Sequence, residues 1–416
     1  MFIESWSAAY FGMLDPILPK GEVKKKLEQF VSESPALDFI HEYLSKELSE
    51  KQEYDPAEGL LPLTSLPNYT DAKASAERLV QEFESLPWEY SVAVPFKNDF
   101  GELFAAHVKN VVLSDSLRLV APDKPFTEEF PAKSGAEREE NSGQIANALT
   151  AFLAMVDAEW NPKAIYLQVK VNGFIGHYGT TTPLHEAIST IKAFCGVGIA
   201  LRLFKVNYNY RWAHQRRMLS GAQCFIHRRV GLKWQKERSH ELEAETANVI
   251  EDLVLHDVDG TLKTEAKKVE WIKERLETIS TIFRHKAKAE RILLASQWLF
   301  DSYCGKNELL SFVQTTVVLE ILLGDKATSD VMGLGELLRN RCAYLIANTQ
   351  TKRQEILEKF KKIYDVRSQI VHRGKSRLTE DERELFLTFQ WMCRRVIQAE
   401  VNLLMEDIRL NEKGIH

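Results

Sequence analysis

The chain has 416 residues, a formal net charge of −5 and a pI near 6.2, long for a single core and suited to two or three domains. With 44% hydrophobic residues it reads as globular throughout. The acidic balance excludes a wholesale nucleic-acid coat and leaves any polyanion binding to a local patch.

At the N-terminus, "MFIESWSAAYFGMLD" lacks a basic segment ahead of an apolar run and carries Glu4 and Asp15, so it makes a poor signal peptide. Helical patterns follow in "GEVKKKLEQFVSES", "ALDFIHEYLSKELSEKQ" and "DAKASAERLVQEFESL", separated by Pro- and Gly-bearing breaks. "WEYSVAVPF" and "ELFAAHVKNVVLSDSLRLV" read as strand-like, and the charged stretch from Pro122 to Glu140 reads as a loop. Asn141 to Val156 is uncharged but short for a membrane span. "AIYLQVKVNGFIGHYG" alternates as a strand or hairpin. Thr182 and Pro183 then open a helix carrying Leu184, Ile188, Ile191, Cys195 and Ile199.

Beyond "DVDG" at 257–260 the signals become helical up to Arg409. Val269, Ile272, Leu276, Ile279 and Phe283 form one stripe, four more helices follow, and a last one runs from about Glu380. The expected fold class is α+β: a mixed recognition or sensing region over 1–240, a connecting helix and turn over 241–261, and an all-α bundle over 262–416. The odd set of five cysteines, without C-x-x-C spacing, fits reduced thiols in a cytoplasmic protein.

One stretch, "KKIYDVRSQIVHRGKS", places Arg367 and His372 near the end of an amphipathic helix whose stripe is Ile356, Phe360, Ile363, Ile370 and Val371. Arg367 falls four residues from both Ile363 and Val371, on or beside the inward face, where an unpaired charge is costly. Glu320, interrupting "VVLEILL", is a candidate partner. Gly374 is placed to end the helix in a left-handed conformation. Five residues at 100° set His372 about 140° around from Arg367 and about 7.5 Å along the axis. Convergence of the two groups therefore needs an unwound last turn or a second subunit. On spacing alone the pair reads as an arginine bridged to Glu320 and a histidine favoured by the helix C-terminus.

"YDVRSQIVHRG" resembles the signature of the Apea-like branch of the HEPN superfamily. The likeness extends to "ASQWLFDSY", "LLSFVQTTVVLEILLG" and "LRNRCAYLI", four ordered segments between about Ala289 and Arg409. The resemblance implies a helical bundle, usually dimeric, with an Arg-x4-His motif that cleaves RNA without metal or other cofactor. On that basis Arg367 and His372 become the catalytic pair, and Tyr364, Asp365 and Ser368 shape the site. Arg373 departs from the pattern, standing where the family often has glycine. RNA supplies its own nucleophile, the 2′-hydroxyl, so histidine can carry a proton and arginine can hold the phosphorane oxygens. The products would be a 2′,3′-cyclic phosphate and a 5′-hydroxyl. The same resemblance implies a prokaryotic defence role, with tRNA or other cellular RNA as substrate; a phage-derived component, a nucleotide signal and a partner protein all stay open as the trigger.

Residues 202–238 hold ten Lys or Arg against one acid, a net of +9, so against a total of −5 the rest of the chain carries about −14. Arg211, Arg216, Arg217, Arg228, Arg229 and Lys233 are candidate RNA contacts, and Tyr208, Tyr210, Trp212 and Trp234 offer rings for unpaired bases. Solvated helix charges, or charges paired with acids brought in by folding, explain the segment equally well. His177 and His185 lack further ligands and "NGFIGHYG" lacks a phosphate-loop context, so neither marks a site. The leading expectation is a metal-independent endoribonuclease. The alternative is a non-catalytic RNA-binding, oligomerisation or sensor module.

Overall fold

Apolar and aromatic runs in the first half form strands, and the three-and-four spacing beyond residue 262 forms helices. These elements are seen in a computed structural model of the protein, which describes residues 39, 42–43, 69–96, 99–132, 160–176, 182–207, 223–256, 262–305, 307–325 and 333–412. The architecture is α+β, a six-stranded sheet followed by a helical bundle. Two compact units are formed, one from Met1–Trp88 with Gly173–Pro183 and one from Glu89–Asn172 with Leu184–His416.

In the first unit, α1 (Ala72–Glu84) is capped by Asp71, whose carboxylate accepts hydrogen bonds from Lys73 N and Ala74 N. Phe39 packs against Phe83, Trp88 and Phe174 with ring centroids 5.5, 5.7 and 4.9 Å away. The helix expected over "GEVKKKLEQFVSES" lies outside the described residues.

The second unit is built on six strands in the order β2 (Asn110–Ser114), β3 (Leu117–Val120), β4 (Ile165–Gly173), β1 (Trp88–Phe96), β6 (Gln223–Val230) and β7 (Lys233–Glu241). β1 and β6 run antiparallel with Tyr90 opposite Arg228. Residues 165–169 of β4 are all buried because both faces of the strand are covered there, and the expected alternation appears only beyond them, with Lys170 and Asn172 exposed on either side of buried Val171. Trp160, Phe126, Phe130, Phe225 and Trp234 pack into one aromatic cluster, with the Trp160 indole N–H donating to Phe130 O at 2.8 Å.

Two readings of the sequence are corrected here. Within "ELFAAHVKNVVLSDSLRLV" the first part is helical, α2 (Asp99–His107), because Glu, Leu and Ala favour helix and Phe104 buries itself from that turn. Lys109, at φ 58°, turns the chain into β2. The loop read over Pro122 to Glu140 contains α3 (Lys124–Glu129), capped by Asp123 and anchored by buried Phe126. Its residues beyond 132 lie outside the described segments.

α4 (Thr182–Ala200) lays Phe194 against Phe96 and against Phe204 of β5 (Phe204–Val206). It crosses a later helix so closely that a Cβ on Gly196 would lie 1.9 Å from Ser296 O. After α5 (Ala244–Asp252), β8 (Leu253–Leu255) pairs with β5. Helices α6 (Glu265–Arg284), α7 (Lys286–Cys304), α8 (Glu308–Leu323), α9 (Leu334–Ile346), α10 (Gln350–Arg373) and α11 (Glu380–Glu412) complete the unit. α6 is tied to the sheet edge by Ser280 Oγ donating to Leu113 O at 2.8 Å. In the bundle core, Phe312 of α8 stacks on Phe386 of α11 at 5.5 Å, and Cys393 contacts Thr315 O through its thiol. All five cysteines are buried and unbridged.

Buried His227 on β6 carries a pH-dependent part of the stability. Its ring lies 5.4 Å from Phe130 and 5.8 Å from Trp160, with Nε2 3.0 Å from Pro131 O. Burial, with a smaller push from Lys236, lowers its pKa to about 4 against the pull of the Pro131 carbonyl. An unfolded chain takes up this proton near pH 6.5, so the contribution is intact above 6.5 and is lost between 6.5 and 4. The expected loss is about 3 kcal/mol. His227→Gln is expected to flatten the urea midpoint over that range, and a slope equal to the parent's would assign the loss elsewhere.

Candidate active site

The backbone of the site is α10. Thr349 caps its start, its hydroxyl accepting from Lys352 N, and Gly374 ends it in the left-handed conformation at φ 64°, ψ 37°, as the sequence predicts. The helix begins at Gln350. Its buried face is Ile356, Phe360, Ile363 and Val366, which corrects the predicted stripe: Val371 is 46% exposed. The reason is angular. Val366 sits about 60° from Ile363 around the axis and Val371 about 80° on the other side, and packing favours the former.

Arg367 therefore lies next to the buried face, its side chain 26% exposed, and Nη2 approaches Glu320 Oε1 of α8 at 3.8 Å. The anticipated partner is the observed one. Arg367 Cζ is 5.9 Å from the ring of Tyr364, which stacks on Phe360 at 5.9 Å. Tyr364 fits because residue 335 on α9 is glycine: a Cβ there would come 2.8 Å from Tyr364 Cε1. Burial pushes the Glu320 carboxyl up while Arg367 pulls it down. The Tyr364 hydroxyl is also pushed up, by burial and then by Glu320, with Arg367 opposing. A guanidinium, a phenol and a carboxylate thus meet in one half-buried cluster.

Ser368 is half-buried, and Asp365, His372 and Arg373 are exposed. α10 is helical without a break through Arg373, so the last turn does not unwind. Arg367 and His372 stay about 140° apart around one axis. Within one chain Arg367, Tyr364 and Glu320 are brought together, and His372 is not brought to them.

Three supports were missed by the sequence reading. Arg291 of α7 donates to the carbonyls of Ile321 and Leu322, and Arg341 of α9 to Leu323 O at 2.8 Å, so two cations cap the end of the helix that carries Glu320. Only the folded chain brings them there. The turn after His372 is clasped by Lys375 Nζ, 2.9 Å from Glu382 Oε1 and 3.2 Å from Gln369 Oε1. Thr379 and Glu382 exchange backbone-to-side-chain hydrogen bonds at the start of α11, at 2.7 and 3.4 Å. This last support had a readable signal, the T-x-x-E spacing of a capping box.

The basic candidates divide differently. On the β6–β7 hairpin, Arg229 Nη1 is 2.8 Å from Glu89 Oε2 and Arg228 Nε is 3.6 Å from Glu237 Oε2, while Lys233 is exposed. For these two arginines, pairing with acids applies. Trp234, expected as a stacking ring, is instead buried, stacked on Phe130 at 5.1 Å. Its place on the inner face of a covered strand withdraws it from any base. Arg211, Arg216, Arg217, Tyr208, Tyr210, Trp212 and His177 lie outside the described residues.

Fold and site together define an α+β protein with a polar cluster built around one arginine on a helical bundle. No family model, curated protein or solved structure matches the chain. Among the described residues no three His, Cys, Asp or Glu side chains gather as a metal site, and no helix is long and apolar enough to cross a membrane.

The Arg367–Glu320 pair is too long and too wet to be a main stabiliser. A double-mutant cycle with Arg367→Met and Glu320→Gln is expected to give a coupling of about 1 kcal/mol or less in urea unfolding. A coupling of several kcal/mol would make the arginine a structural bolt.

Proposed function

We propose that the chain is a metal-independent endoribonuclease of the HEPN type, acting as a homodimer through its helical half. What supports the reading is the placement of Arg367 in a half-buried cluster with Tyr364 and Glu320 while His372 stands exposed on the same unbroken helix. One chain then offers a phosphate-holding cation on one side and a proton carrier on another, and a second copy supplies the complement. The 2′-hydroxyl of RNA gives its proton to one His372 as its oxygen attacks the adjacent phosphorus, and the bond to the 5′-oxygen breaks as that oxygen takes a proton from the His372 of the second copy. The substrate class is tRNA or other cellular RNA, in a cytoplasmic prokaryotic defence role released by a phage component, a nucleotide signal or a partner protein; the resemblance alone carries that role.

A second reading has its own observation: Arg367 already holds a carboxylate partner, and Arg228 and Arg229 face acids. On that reading the bundle is a non-catalytic oligomerisation, RNA-binding or sensor module. Incubating the parent, Arg367→Ala and His372→Ala with total tRNA in EDTA separates the two. Cleavage by the parent alone, leaving cyclic phosphate ends, supports the nuclease; identical behaviour of all three leaves the module.

A further inference from the structure

Away from α10, the sequence "WMCRRVIQ" on α11 sends its residues two ways. Met392, Cys393, Val396 and Ile397 are buried in the bundle. Trp391, Arg394, Arg395 and Gln398, spaced by three and four, share the other side. That side forms one wall of a cavity of about 240 Å³, and Arg202 and His256 form the other. The sequence reading did not single it out, because its walls come from segments almost 200 residues apart.

The wall opposite α11 is held by backbone. Arg202 follows the end of α4 in the left-handed region, φ 61°, a position where glycine is the usual residue. Its conformation is fixed by Arg202 N donating to Ile199 O at 3.3 Å and Leu203 N to Gly198 O at 2.8 Å. Here the chain places a guanidinium on strained backbone. His256 follows β8, with its N–H donating to Leu203 O at 3.0 Å. Gln398 donates to Ala200 O and accepts from Arg395 Nη1 at 2.7 Å, which aims Arg395 and uses up a carbonyl at the negative end of α4.

The charge is one-sided. Three arginines and a histidine line the cavity with no carboxylate among the described lining residues, whereas elsewhere Arg229, Arg367, Arg383 and Lys192 each face an acid. Arg394 Nε and His256 Nδ1 are buried with no hydrogen-bond partner among the described residues. Burial, followed by Arg202, Arg394 and Lys205, pushes the His256 imidazole down, against the Phe204 carbonyl. Trp391, 40% exposed, supplies a ring face beside the cations.

We infer that this cavity is a binding site for a nucleoside monophosphate, with the phosphate on Arg202, Arg394 and Arg395 and the base against Trp391. A carboxylate occupies one guanidinium fork; three forks match the oxygens of a phosphate dianion. The volume falls below the roughly 300–1,000 Å³ of sites that enclose a whole drug-sized ligand. It suits the phosphate end, with the base lying over the rim. This site shares no residue with the Arg367 cluster and stands whether or not the chain cleaves RNA.

The test is calorimetric titration of the full chain with AMP, inorganic phosphate and adenosine, alongside thermal unfolding with each. AMP is expected to bind and raise the unfolding temperature, phosphate to bind more weakly, and adenosine not to bind. Arg394→Gln is expected to weaken AMP at least about ten-fold. Arg202→Gly removes a guanidinium while relieving the left-handed backbone, so its loss of binding cannot come from a weakened fold. Trp391→Ala should bring AMP down to the affinity of phosphate. Adenosine binding as well as AMP, AMP affinity unchanged in Arg394→Gln and Arg202→Gly, or no binding of AMP at millimolar concentration would each overturn the assignment.

Discussion

His372→Ala is expected to lower RNA cleavage by about 10²- to 10⁴-fold, the range over which a positioned proton carrier contributes. The fold should not change. His372 is exposed in the last turn of α10, and the turn beyond it is held by Gly374 and the Lys375–Glu382 clasp rather than by the imidazole. A loss of activity with an unchanged circular dichroism spectrum and urea midpoint is therefore chemical. Because one helix cannot aim both groups at one phosphodiester, the proposed dimer requires that specific activity of the parent also fall on dilution. An alanine variant as active as the parent would sink the nuclease reading, and activity independent of concentration would sink the shared site.

The largest expected effect on stability is at Gly196. A Cβ there would meet Ser296 O at 1.9 Å and Ser296 C at 2.6 Å, both backbone atoms of α7 that no rotamer change can move. Gly196→Val must push α4 and α7 apart at this crossing. The cost is expected to be about 3 kcal/mol or more, at the upper end for overpacking. Urea unfolding followed by near-ultraviolet circular dichroism measures it, with Leu232→Ser, at a side chain 91% exposed, as a neutral control. A midpoint for Gly196→Val equal to that control's would show that the crossing is loose.

Much of the helical half was legible because its signals are local. The stripe of α6, the Gly374 terminator and the start of α11 near Glu380 each depend on residues within a turn or two. Glu320 was legible for a different reason: a carboxylate on an apolar stripe demands a cation, and Arg367 posed the reciprocal demand. What stayed hidden depends on distant chain. Arg291 and Arg341 reach the end of α8 only after folding, Gly335 matters only because Tyr364 arrives beside it, and Arg202 and Arg394 line one cavity from 192 positions apart. The misread of Glu102 to His107 has the same origin. Its β-rich neighbours lent it a strand character that its own Leu-Phe-Ala-Ala run does not have. Trp234 was misjudged because an aromatic next to cations looks alike in sequence whether it faces water or Phe130.

The pairing of Tyr90 with Arg228 joins residues 138 positions apart. On a ribosome adding about 5–20 residues per second, β1 leaves the exit tunnel roughly 7–28 s before β6 exists to pair with it. Throughout that wait a strand whose last seven residues are destined for complete burial has an open edge. The sheet thus makes biogenesis the delicate stage of this molecule: yield in a host should depend on translation speed and on holdase chaperones, even where the finished protein is robust.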